Sequence, residues 1–157
     1  MVLHGTWSIE RKERLVMNLQ LVTLSGTKLD SQVYEVILPT EDGEISVFPD
    51  HEPLVTLAKS GVISVRKNKS DPDSNMELYA ISGGVIQIDG QLVRVLVDEA
   101  DHGADINEVE SRQALERAIK LQSEATSQVD LDKAHQLVDR HHVRLKVADL
   151  QRRRRNR

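Results

Sequence analysis

At 157 residues and 39% hydrophobic content the chain has room for one domain, or two small ones, around a modest core; with only 3% aromatics that core is built from Val, Leu and Ile. The absence of cysteine excludes a disulfide scaffold and a thiolate metal site, and leaves the redox compartment open. A net charge of −4 gives no general pull toward nucleic acid. No apolar run approaches the roughly 20 residues of a spanning helix, so association with a membrane has to run through a protein partner.

Met1–Val16 lacks the apolar core of a signal peptide, and a β-like pattern begins at Met17-Asn-Leu-Gln-Leu-Val-Thr23. Residues 1–16 are therefore expected to be a separate N-terminal extension. Met17 is an alternative start, since Lys12-Glu13 is compatible with a purine-rich ribosome-binding sequence; an ordinary extension is the other reading.

From Asn18 to about Val97 the apolar residues alternate with period two, as in Leu19, Leu21 and Thr23, in Ile63 and Val65, and in Val93, Val95 and Val97. Turn signals recur at Ser25-Gly26, Asp42-Gly43, Ser60-Gly61, Lys67–Ser74, Ser82-Gly83-Gly84 and Asp89-Gly90. Many short strands at this spacing predict an antiparallel sandwich or barrel, with Asp89-Gly90 as the clearest hairpin. Ser82-Gly83-Gly84 lacks the lysine and the helix start of a phosphate loop, and reads as a bulge or a close backbone crossing.

Within this half, Val36–Thr56 carries three prolines, Asp42-Gly43 and His51 between apolar β-formers. Pro39 is expected to end a strand, and Asp42-Gly43 to turn the chain. Glu44–Phe48 alternates as a half-buried strand. Pro49 and Pro53 are expected to hold His51 on a stiff, non-helical surface loop, which suits a docking edge. Glu44 and His51 have no nucleophile, oxyanion donor or second carboxylate in the segment, so they read as contact residues rather than an acid–base pair.

The remainder reads as helical. Asp105 and Glu108 have capping-box spacing, and Ala114, Ala118, Leu121 and Ala125 recur on one face. Thr126–Val129 breaks the run; Asp130 is expected to cap a second helix with the stripe Leu131, Ala134, Val138, His141, Leu145 and Ala148. Two helices with a short connection pack as an antiparallel hairpin. Alanine-lined stripes bury little apolar surface, which predicts a hairpin able to leave its resting site. His135 and His142 share a face but lack a third ligand, so no zinc site is expected. His141 sits in the apolar stripe. Arg140 and Arg144 share a face, and a folded-back Arg117 would join them in a cationic cluster suited to phosphate oxygens. Arg152–Arg157 holds five arginines without interleaved aromatics, which argues for solvation or an acidic protein surface over nucleic acid.

The block Leu-Pro-Thr40, two residues, Gly-Glu-Ile45, one residue, Val-Phe-Pro49, one residue, His51, one residue, Pro-Leu-Val-Thr56 resembles the epsilon subunit of bacterial-type F-type ATP synthases. The resemblance runs on through Gly61-Val-Ile-Ser-Val-Arg66 and Ala80-Ile-Ser-Gly-Gly-Val-Ile86, and covers roughly Asn18 to Leu150. It implies an α+β chain: a flattened β-sandwich of about ten strands over 17–100, then a two-helix hairpin over 101–157. It implies a non-catalytic central-stalk subunit of a proton-translocating complex, coupling rotation and inhibiting ATP hydrolysis through its C-terminal helices. The implied partners are the gamma subunit, the membrane c-ring and the catalytic beta subunits. The implied location is the cytoplasmic face of the bacterial inner membrane or an equivalent energy-transducing membrane.

By position, Glu44, Pro49 and His51 are the implied subunit interface, and Arg140, Arg144, Lys146 and Arg152 the implied regulatory contacts. Some members of that family bind regulatory ATP with arginines at matching positions. Carried over, these give Asp101, Ile106, Arg117, Arg140 and Arg144, with no other cofactor. The family's nucleotide motif (Ile or Leu, Asp, two residues, Arg-Ala) is here Ile106, Asn107, Glu110 and Ser111, which sets a glutamate where the motif has arginine. A free-standing β-sandwich adaptor with a nucleotide-sensing or protein-binding hairpin is the alternative, separable by co-purification with a membrane ATPase.

Overall fold

The computed structural model describes residues 16–156; the expectations for Met1 and the N-terminal extension lie outside them. The alternating segment forms ten strands: β1 Met17–Thr23, β2 Gly26–Val33, β3 Glu35–Thr40, β4 Gly43–Val47, β5 His51–Ala58, β6 Gly61–Arg66, β7 Glu77–Ile81, β8 Gly84–Gly90, β9 Leu92–Val97 and β10 Ala100–His102. They join in the order β10-β7-β6-β3-β5-β8-β9-β1-β2, with β4 paired to β3. Between β3 and β5 the ladder narrows to one pair, Thr40 with Ala58, and there the sheet folds over itself. The result is the nearly closed β-sandwich that period two predicts. One departure from the antiparallel expectation is β1, which pairs with β9 in parallel.

The fold-over buries Leu19, Leu21, Leu38, Ile63, Ile86, Ile88, Val93 and Val95 in one aliphatic core. At the tight turns of the β1–β2 and β3–β4 hairpins Gly26 and Gly43 take φ of 127° and 118°, a region closed to ordinary side chains. The close crossing read at Ser82-Gly83-Gly84 is present: a Cβ on Gly84 would lie 2.0 Å from the Leu96 carbonyl oxygen. Pro39 does not end its strand; it pairs with Glu44 inside the β3–β4 hairpin, one residue before the end.

A 3₁₀ turn, Gly103–Asp105, leads into α1, Glu108–Glu124, and α2, Gln128–Arg155. Both caps differ from expectation. Asn107, not Asp105, accepts the Glu110 N–H at 3.0 Å, and Ser127, not Asp130, accepts the Asp130 N–H at 3.1 Å. In each case the side chain immediately before the helix has the geometry to reach the third N–H. The buried face of α1 runs through Ser111 and Ala118, and Leu121 points to solvent.

On α2 the expected stripe is half-buried or buried along its whole length. A second face, not anticipated, docks Val143, Val147 and Leu150 on Val62, Leu78 and Ala80 of β6 and β7, with Ile106 beside them. This explains the unbroken apolar run of β7: Tyr79 and Ile81 face the sandwich core while Leu78 and Ala80 face the helix.

Candidate functional site

The proline-bounded block builds a corner of the sandwich. Phe48-Pro49-Asp50-His51 is a tight turn closed by the His51 N–H on the Phe48 carbonyl at 3.2 Å. Pro49 presets the first central position, and Asp50 takes the left-handed second one at φ 66°. His51 therefore starts β5 instead of sitting on a loop, and Pro53 lies at the irregularity in the β5–β8 register between His51 and Leu54. A proline is tolerated there because the ladder is already interrupted. The His51 Nδ1–H donates to the Glu52 carbonyl at 2.6 Å. Glu44 is exposed at the far end of β4, so the fold does not bring Glu44 and His51 together.

Beside this corner lies a surface the sequence analysis did not single out. Leu57 pairs with Val85, and Val85 with Leu96, so the three side chains form one outward row across β5, β8 and β9. Val55 extends it. Their exposures are 55, 38, 42 and 69% for Leu57, Val85, Leu96 and Val55, high for branched aliphatics on regular strands. Arg94, whose Nε donates to Gln20 at 3.1 Å, sits in the adjacent row with Gln87. The available signal was the run Leu54-Val-Thr-Leu-Ala58, apolar on both faces of a strand whose outer face should have been polar.

The helical hairpin gathers the predicted arginines around His141. Arg140 Nη1 meets Glu99 at 2.6 Å, and Arg144 Nε lies 3.7 Å from Asp101. Burial pushes the His141 imidazole below its usual range, and Arg140, Arg144 and Arg117 lower it further against the opposing pull of Glu99. Among the described residues, Arg140 Nε, Arg144 Nε and His141 Nδ1 are buried without a hydrogen-bond partner. A cavity of about 10 Å³, the space of one water, lies between Arg140, Arg144, Ser82, Glu99 and Asp101. Ile106 is not part of this cluster; it packs beneath α2. Nor do the four expected contact cations share one face. Lys146 is exposed, and Arg152 pairs with Glu108 at 3.3 Å and Asp149 at 2.6 Å on another side of the helix. Among the described residues no group of His, Cys, Asp and Glu is arranged to hold a metal, and no helix is long and apolar enough to cross a membrane.

An aliphatic sandwich with an uncovered apolar row, followed by a hairpin ion-paired to its outer face, defines a binding subunit. Residues 16–103 match the ATP synthase, delta/epsilon chain, beta-sandwich domain. The chain is 36% identical over 104 residues to the chloroplastic ATP synthase epsilon chain of Coffea arabica, covering 66% of this chain and 75% of that one. Against the same subunit of Staurastrum punctulatum it is 31% identical over 133 residues, covering 85% and 93%. Its fold resembles a chain in the cryo-EM structure of the Euglena gracilis mitochondrial ATP synthase OSCP/F1/c-ring in rotational state 1, with a TM-score of 0.70, 21% identity, and coverage of 85% and 81%. The chain belongs to the ATP synthase delta/epsilon family, as an epsilon-like, non-catalytic subunit.

Proposed function

We propose that this subunit couples rotation between the membrane ring and the catalytic head, and that its helical hairpin restrains ATP hydrolysis. In this reading residues 17–100 form the stalk- and ring-binding domain, 101–157 the regulatory hairpin, and 1–16 an extension. The gamma subunit covers the sandwich, the c-ring meets the Glu44 end, and the catalytic beta subunits receive the hairpin when it extends. The complex sits on an energy-transducing membrane of bacterial or plastid type, on its cytoplasmic face in a bacterium.

The observation that carries the reading is the outward row Leu57, Val85 and Leu96, with Val55 exposed on the same face of β5, the strand that His51 starts. Burying such side chains contributes on the order of 1 kcal/mol or more each, so a rotor partner that covers them is held without any ion pair. Glu44, Pro49 and His51 then frame the interface and set its orientation. Leu57→Asp tests it: the expected result is a normally folded chain by circular dichroism that no longer joins the rotor. Full incorporation of L57D into the complex overturns the assignment.

A second reading, regulatory ATP at Asp101, Arg117, Arg140 and Arg144, with the expected Ile106 lying apart beneath α2, is favoured by the partnerless Nε atoms of Arg140 and Arg144. Glu99 and Asp101 already face those arginines, so a nucleotide has to displace carboxylates to bind. Equilibrium dialysis is the check, and no uptake at millimolar ATP removes this role.

A further inference from the structure

The arginines that close α2 are not equivalent. Arg152 and Arg153 reach Asp149 on their own helix at 2.6 and 2.9 Å, and Arg155 is exposed. Arg154 points instead at the sandwich. Its Nη1 donates to the main-chain carbonyl of Met76, at the mouth of β7, at 2.6 Å. Its side chain is half-buried there, with Asp73 within electrostatic reach.

The receiving segment is itself organised by charge. Arg66 donates to Glu35 at 2.7 Å, to the Asp71 carbonyl, and to the Asp73 carboxylate. The Asn68 N–H donates to Asp71 at 2.9 Å, and Asp73–Asn75 forms a 3₁₀ turn that delivers Met76 to its buried position. On the opposite side of the same helical turns, Gly103 permits close approach: a Cβ there would lie 2.6 Å from Gln151 Nε2 and 3.0 Å from Val147. The end of α2 is thus held between the linker and the β6–β7 connection. Withdrawing α2 removes the charged donor from a part-buried carbonyl that has no other side-chain partner among the described residues.

We infer that Arg154 is a latch that keeps the hairpin down on the sandwich, and that the Glu35–Arg66–Asp73 network is the receiver that sets its strength. The inference rests on the reading of the hairpin as movable. It gives the arginine tail an intramolecular role in place of a nucleic-acid or purely solvated one.

Hydrogen exchange on the full-length isolated chain tests it. Arg154→Gln is expected to speed exchange of the Val143–Gln151 and Leu78–Ala80 amides by about tenfold, the scale of one charge-assisted hydrogen bond, and to leave β1 and β9 unchanged. Arg155→Gln is expected to change none of them. Asp73→Asn, which leaves the helix intact, gives a smaller acceleration of the same amides and nothing further in the R154Q background. Equal effects of R154Q and R155Q, or equal acceleration of β1 and α2, overturn the latch. A separate readout addresses the switch: in the assembled complex R154Q is expected to lower ATP hydrolysis by freeing the hairpin. Faster α2 exchange with unchanged hydrolysis keeps the latch and overturns the inhibitory reading of the hairpin.

Discussion

Gly84 shows how one missing side chain sets a strand crossing. Its Cα faces the Leu96 backbone, with a would-be Cβ at 2.0 Å from the carbonyl oxygen and 2.9 Å from the carbonyl carbon, so no rotamer change relieves a substitution. At Gly83 the nearest atom is the Ala58 oxygen at 3.2 Å, a milder contact. Gly84→Ala is expected to cost about 3–5 kcal/mol in a denaturant titration and Gly83→Ala far less. The glycine pair was visible in the chain; which member is intolerant is settled by the β8–β9 register. His141 carries a pH dependence. Its folded-state pKa is lowered, so the folded protein binds fewer protons. Its contribution to hairpin stability is therefore full above about pH 6.5, the ordinary histidine value, and is lost as pH falls and the unfolded chain protonates first. His141→Gln should flatten that part of the stability–pH profile; an unchanged profile rejects the assignment. The two caps show the limit of local spacing. Asp105 and Asn107, like Ser127 and Asp130, are competing candidates a few residues apart, and only backbone geometry chooses between them.

At the level of elements, α2 has two jobs because it has two faces. It packs along α1, and its Val143, Val147 and Leu150 seal the outer face of β6 and β7. The stripe was legible because it follows strict alternation of three and four. The second face was not, because its three residues read as an irregular supplement until a sheet appears opposite them. The extra Val and Leu contacts hold the hairpin more firmly than the alanine stripe alone. In the proposed switch, going from mostly folded to mostly extended takes about 5.5 kcal/mol of differential binding. Deleting Ile106–Arg157 is expected to leave the sandwich folded, since its main core holds no residue of either helix, and to raise ATP hydrolysis by the assembled complex. Unchanged hydrolysis would show that this hairpin does not inhibit.

For the molecule as a whole, the sandwich core and the helix-docking cluster share no member, although Tyr79 and Ala80 are chain neighbours in different clusters. Two clusters of unequal size predict unequal stability. In urea, protection of the α2 amides should disappear at lower denaturant than protection of β1, β8 and β9; coincident loss would mean one cooperative unit. The sequence by itself determined the sandwich, the hairpin and the glycine turns, because alternation, helical spacing and turn chemistry are local and survive without knowledge of neighbours; the family was legible separately, through the resemblance carried by the Leu38–Thr56 block. Tertiary structure alone decided the rest. It made His51 a strand residue, drew Leu57, Val85 and Leu96 into one row from three strands, and aimed Arg154 inward while its neighbours face water. Those features depend on pairing register and on the rotation of a helix about its axis, and both are set by contacts between residues far apart in the chain.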